Sequence, residues 1–232
     1  MIIIIAIVAG FIPCIALFLW LRNGLNREET YRKLCDYTLL RGFLCTFSII
    51  LLSGLLYLLL RLTRIQDGHP LLFQLLYTFI VLAFAEEFVK YRTFRRVLKK
   101  KEYPYSFLDF VVLMSIVGIG FDISESLLYA IGASVPVVLV RGICIPHAGY
   151  GFITGYFYGK GIKTGRTYYK YLGFLLSWAM HGLYDFSLSE EFVVLNENLV
   201  FVALTLAAAD IVLWVSLIVF SKKARNILNP AQ

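Results

Sequence analysis

Charge is scarce in this sequence. Asp, Glu, Lys and Arg make up 16% of its 232 residues, where soluble domains carry about a quarter. A chain so poor in charge cannot cover a water-facing surface, which excludes an ordinary cytosolic enzyme. An apolar content of 59% excludes a disordered protein. The net charge of +7 and a pI near 9.2 do not restore a nucleic-acid-binding reading. Low-complexity linkers and internal repeats are missing as well. Cys14, Cys35, Cys45 and Cys144 lack metal-type spacing and lie in or beside apolar segments, so they read as small buried hydrophobes. There is no HExxH, no GxSxG, and no Ser or Cys with a credible partnering base. Any hydrolysis must therefore be driven by carboxylates or a metal.

What is present is long apolar sequence, with a mean hydropathy of +0.76. A helix needs roughly 20 apolar residues to cross a hydrocarbon core of about 30 Å. Seven stretches meet or approach this: about 2–21, 42–60, 71–89, 107–131, 136–158, 171–187 and 198–220. Their continuous runs lack period-two alternation, so the expected fold is all-α, a polytopic membrane helix bundle of about seven spans. One integral-membrane domain, 1–232, is expected, with lipid as its surroundings. The first stretch has no basic residues ahead of it and no small-residue cleavage site behind it, and is read as a retained span. With this assignment 19 of the 22 Lys and Arg fall on one side of the membrane. The positive-inside rule then places the N-terminus outside and the C-terminus in the cytoplasm. The run 90–101 is read as a topogenic loop against anionic lipid.

Six acids stand deep within apolar stretches: Glu86, Glu87, Asp122, Glu125, Asp185 and Asp210. His147 and His181 join them. Each acid at mid-membrane costs on the order of 2.5–3.5 kcal/mol on insertion scales. Helix-pairing glue accounts for one or two such residues but not for clusters on four consecutive helices. Asp210 alone is read as helix pairing.

Spacing sharpens the pattern. Glu86 and Lys90 are one turn apart and share a helix face, which leaves Glu87 about 100° away and free to point elsewhere. Phe121 and Glu125 share a face, with Asp122 one turn before Glu125. His147, Gly151, Gly155 and Gly159 recur every four residues, an imidazole above a small-residue groove that another helix can approach closely. His181 and Asp185 are again four apart, so the carboxylate can orient the imidazole. A desolvated carboxylate can serve as a general base toward water. Two histidines and an acid can bind Zn²⁺ or stabilise an oxyanion.

The ordered series Glu86-Glu87-x-x-Lys90, Phe121-x-x-x-Glu125, His147-x-x-x-Gly151 and His181-x-x-x-Asp185, each on its own span, resembles the PrsW family. These are bacterial intramembrane proteases within the superfamily of CAAX prenyl proteases and bacteriocin-processing relatives. The resemblance covers roughly 70–190. It implies cleavage of a single-span membrane protein similar to an anti-sigma factor. It also implies a general-base role for Glu86 or Glu87, a metal or oxyanion role for His147 and His181, and water activation by Glu125. If a metal is used, the implied ligands are Glu125, His147 and His181, with zinc the expected ion. Asp185 is placed with the catalytic group, and Lys90, Phe121, Asp122 and Gly151 in support.

Depth arithmetic raises an expectation for the structure. At about 1.5 Å per residue, His147 and His181 meet near the midplane, whereas Glu86 falls some 22 Å below the start of span three, towards the cytoplasm. One site then requires span three to begin above the membrane, to tilt, or to hold its acids in a cavity. Two other functions compete. A proton- or ion-coupled transporter calls for an inverted repeat or interrupted helices in matching halves, and neither is found. A catalytically silent scaffold of the same fold is opposed by the intact acid and histidine set.

Overall fold

The computed structural model describes residues 2–24, 28–99, 103–132, 144–189 and 200–228. The described residues form helices and no strand. The long ones are α1 (Ile2–Gly24), α2 (Glu29–Leu62), α3 (Pro70–Val97), α4 (Phe107–Gly132), α5 (Pro146–Thr164), α6 (Tyr168–Ser187) and α7 (Val200–Leu228). Of these α2, α3, α4 and α7 contain stretches long and apolar enough to cross a membrane.

Local signals explain the helix ends. Pro70 opens α3, where its missing N–H costs nothing. At α4, Ser106 and Asp109 form a reciprocal cap: the Ser106 amide donates to Asp109 Oδ2 at 2.6 Å, and the Asp109 amide donates to Ser106 Oγ at 3.3 Å. Gly165, at φ +69°, closes α5 with its amide on the Ile162 carbonyl.

Three of these elements differ from the hydropathy reading. The second span extends backwards to Glu29, because 29–41 contains neither Pro nor Gly and its polar groups pair locally. Lys33 meets Glu29 at 2.6 Å, and Arg22 of α1 clasps Asp36 with two hydrogen bonds of 2.6 and 2.8 Å. The third span continues through its basic residues to Val97. The fifth, read as 136–158, is a described helix only from Pro146, and 136–143 lie outside the described residues. Pro146 disfavours a helical residue before it, and Ile145 takes the left-handed conformation at φ +41° although β-branched and buried. The helix therefore begins one residue before His147.

The centre of the bundle is α4, with 83% of its apolar window buried, against 17% for α2 and for α7. Its core side chains include Val111, Leu113, Met114, Ile116, Val117 and Ile119. The glycine stripe of α5 lies directly on it. A Cβ at Gly151 would meet the Met114–Ser115 backbone, and one at Gly155 the Phe110–Val111 backbone. The small-residue groove is thus filled by a helix of the same chain. The four cysteines are buried, with no disulfide among the described residues.

Candidate active site

Four helices bring the sequence-marked residues together. The starts of α4 and α6 and the ends of α3 and α5 share one end of the bundle. Counted from that end at about 1.5 Å per residue, Glu86 lies roughly 16 Å along its helix, His181 roughly 20 Å, His147 roughly 25 Å and Glu125 roughly 27 Å. The depth conflict narrows because α3 continues two turns past its apolar run, to Val97. Residues Tyr77–Phe84, just before the two acids, form a stretch of π-helix. Such a stretch leaves backbone carbonyls without their usual partners. The Phe79 carbonyl accepts the Trp178 indole N–H at 2.7 Å, which ties α3 to α6 at this point.

Lys90 is at the bottom of the site, almost wholly buried. Its ammonium is 2.6 Å from Glu87 Oε1 and 3.7 Å from Glu86 Oε2, and it donates to His147 Nδ1 at 2.8 Å. The Phe121 ring lies 4.7 Å from the ammonium and edge-on to the His147 ring. The expected Glu86–Lys90 pair is present, and Glu87 is the closer partner, since positions three and four apart on a helix both fall within reach of a long side chain.

His147 Nε2 is 2.8 Å from Glu125 Oε2 and 3.9 Å from Asp122 Oδ1. His181 is held at both nitrogens, Nδ1 at 3.0 Å from Glu87 Oε1 and Nε2 at 3.2 Å from Asp185 Oδ2. The two imidazole rings are 5.0 Å apart. Gly151 contributes the close approach of α5 to α4, one turn beyond His147. Exposure rises towards one end, from 1–2% for the side chains of Lys90, Glu87 and His147 to 14% for Glu125 and 18% for Asp185. The site is closed at the lysine and opens between those two carboxylates.

Glu86 faces both imidazoles. Its Oε2 is buried and makes no hydrogen bond, yet it lies 3.8 Å from His147 Nε2 and 3.7 Å from His181 Nε2. A buried carboxylate oxygen without a donor is costly unless a cation or water completes it. Five carboxyl groups and two imidazoles share this site with one ammonium.

A metal ion fits this donor set. Ligand atoms around a tetrahedral zinc with bonds of about 2.1 Å stand roughly 3.4 Å apart, and Glu86 Oε2 lies 3.8 and 3.7 Å from the two imidazole nitrogens, all three atoms falling within 4.8 Å of one another. The donors within reach of one another are Glu86, His147 and His181, and separately Asp122, Glu125 and His147. This differs from the expected trio of Glu125, His147 and His181, because Glu86 and not Glu125 faces both imidazoles. His181 Nδ1 donates to Glu87, the usual support for a metal-bound histidine; coordination at its Nε2 takes that nitrogen unprotonated, with the 3.2 Å contact to Asp185 released. At His147 the ammonium can only donate to Nδ1, so Nε2 carries the hydrogen given to Glu125. Coordination through Nε2 takes the other tautomer, with Lys90 turned to Glu87 alone.

Three features escaped the sequence reading. Tyr150 stacks on His181, with ring centroids 5.2 Å apart and an interplanar angle of 21°. Thr46 of α2 and Ser124 of α4 share a short hydrogen bond beside the site. The helix start at Pro146 fixes His147, and Pro146 itself was the available signal.

An enclosed carboxylate–histidine site inside a bundle of membrane-length apolar helices defines an integral membrane protein with polar chemistry at its core. The chain belongs to the PrsW family, described as intramembrane metalloproteases, whose profile matches residues 31–215. It is 35% identical over 115 residues to Protease PrsW of Oceanobacillus iheyensis, covering 47% of this chain and 53% of that protein. It is 34% identical over 119 residues to Protease PrsW of Geobacillus kaustophilus, covering 47% and 51%. The match therefore spans about half the length of these two relatives. Protease PrsW of Clostridioides difficile is 26% identical over 195 residues, 79% of each chain. No solved structure matches the chain.

Proposed function

We propose that this protein is an intramembrane endopeptidase that cleaves a single-span, anti-sigma-factor-like membrane protein with water activated inside the bundle. The observation carrying this is the buried Glu86 oxygen that accepts no hydrogen bond and lies between two imidazole nitrogens, with further carboxylates around it. Glu86, His147 and His181 are the residues that would hold a divalent ion, zinc by the chemistry of one carboxylate and two imidazoles. When bound, the ion would polarise the scissile carbonyl and acidify water.

The remaining residues have assignable roles. Glu125, at the open side, accepts a proton from the attacking water. Glu87 fixes His181 through Nδ1 and neutralises Lys90, so it is a positioning residue. Asp185 orients His181 from its Nε2 side and borders the entrance. Asp122 adds negative charge beside His147, and Phe121 packs against both Lys90 and His147. The motif-bearing core about 70–190 carries these roles within one domain, 1–232.

Seven crossings, with the N-terminus outside and the C-terminus in the cytoplasm, agree with the basic residues at one end of the bundle: Arg32, Lys33, Arg95, Arg96, Lys99, Lys163 and Arg166. The test is purified protein in detergent with a synthetic single-span substrate, assayed before and after chelation and paired with elemental analysis. Cleavage lost with the metal and restored by Zn²⁺ is expected. Cleavage unchanged in metal-free protein would remove the ion from this account and leave Glu86 as the base.

A further inference from the structure

Asp210 belongs to none of the four motifs, yet it is 2% exposed in a helix whose apolar window is mostly open to the surroundings. Its Oδ2 accepts a hydrogen bond from the Tyr150 hydroxyl at 3.2 Å. Tyr150 is itself 1% exposed, and its ring lies nearly flat on the His181 imidazole. The backbone of Tyr150 is held as well, because Ser177 of α6 donates to its carbonyl at 2.8 Å and pairs with Thr154 at 2.7 Å. On the other side Gly149 lets α7 close on α5, since a Cβ there would meet Leu213. The tyrosine is thus clamped between α6 and α7 with one polar handle, and Asp210 holds that handle.

The geometry points to Asp210 as a positioning residue of the site: it anchors Tyr150, which in turn fixes the plane of His181 so that Nε2 faces Glu86. A histidine ring has a broad torsional well about its second side-chain bond. The hydrogen bond at Nδ1 and the Asp185 contact at Nε2 fix directions within the ring plane, and a flat neighbour on its face removes the remaining rocking. Supports of this kind around a reactive histidine typically contribute 10- to 100-fold in affinity or activity. This inference rests on the hydrolytic reading of the site, but the contact to His181 is measurable without any cleavage.

The test compares Asp210→Leu, Asp210→Asn, Tyr150→Phe, the double variant Asp210→Leu/Tyr150→Phe and a packing control, Leu217→Ala. Leu217 is buried on the same helix and outside the site. Asp210→Leu and Tyr150→Phe should each lower kcat about tenfold with KM unchanged, and the double variant should be no worse than either single one. Asp210→Asn keeps an acceptor and should stay within about twofold of wild type. The second readout is the ¹⁵N-histidine spectrum in detergent, simple because the chain has three histidines. The His181 signals, identified by their loss in His181→Gln, should move in Asp210→Leu and stay in place in Leu217→Ala.

If Asp210→Leu does not fold, Tyr150→Phe keeps ring and volume and carries the same comparison. Wild-type kcat and an unmoved His181 signal in the variants that remove the hydroxyl–carboxylate bond would overturn the inference. So would a loss no larger than that of Leu217→Ala. A moved signal in a protein that cleaves nothing would refute the protease reading and leave the positioning role standing.

Discussion

Glu86 and Glu87 are neighbours in sequence with opposite situations. Glu87 is saturated by Lys90 and His181, while Glu86 Oε2 has no donor. Their substitutions should therefore separate. Glu86→Gln is expected to reduce cleavage at least about a hundredfold with little change in the thermal midpoint. Glu87→Leu leaves the Lys90 ammonium buried without its closest counter-charge, which for buried pairs costs about 3–5 kcal/mol, so the midpoint should fall sharply. Activity and unfolding in the same detergent check both, and equal stability of the two variants would contradict the division of roles. The sequence pointed to all these residues through the cost of acids in apolar runs. It paired those on one helix, Glu86 with Lys90 and His181 with Asp185, but not those between helices, because spacing along one helix is silent about the imidazoles that arrive from α5 and α6. Tyr150 was invisible for a similar reason: an aromatic in an apolar helix looks like any other core residue until its neighbour is known to be His181.

At the scale of elements, the glycines of α5 divide from those elsewhere by what stands against them. Gly155 faces the backbone of α4, which cannot move aside, and Gly54 in α2 has nothing within 4 Å. Gly155→Leu should prevent proper assembly, seen as loss of the folded peak in size-exclusion chromatography. Gly54→Ala should stabilise by about 0.5–1 kcal/mol, the gain from removing a helix-interior glycine. The reverse ordering would mean that α5 does not pack on α4 as described. Apolar windows located the helices but not their lengths. A hydropathy run ends where polar residues begin, whereas a helix ends where a cap, a proline or a glycine stops it. Hence α2 and α3 extend through charged residues to Glu29 and Val97, and α5 starts at Pro146. The π-helical stretch of α3 has no sequence signature that was read. It sets the Phe79 carbonyl against Trp178 of α6, just before the two acids, of which Glu87 also meets α6 at His181.

For the whole molecule, the architecture combines a closed polar floor at Lys90, an opening at Glu125 and Asp185, and basic residues gathered at the opposite end of the bundle. Under the proposed topology that opening faces the outer half of the membrane. The orientation is testable with single cysteines at two exposed positions, Asp67 and Thr167, since the native cysteines are buried. Asp67→Cys should label with an impermeant maleimide in intact cells, and Thr167→Cys only after permeabilisation. The opposite pattern would invert the molecule and the side from which substrate enters.

The central claim is that the Glu86–His147–His181 cluster performs hydrolysis inside the bundle. Its most direct test is cleavage of a single-span reporter by purified wild type beside Glu86→Gln, Glu125→Gln and His181→Ala, all verified as folded. The account predicts a cut by wild type alone, within or bordering the reporter's apolar span. Equal cutting by all four proteins would contradict it.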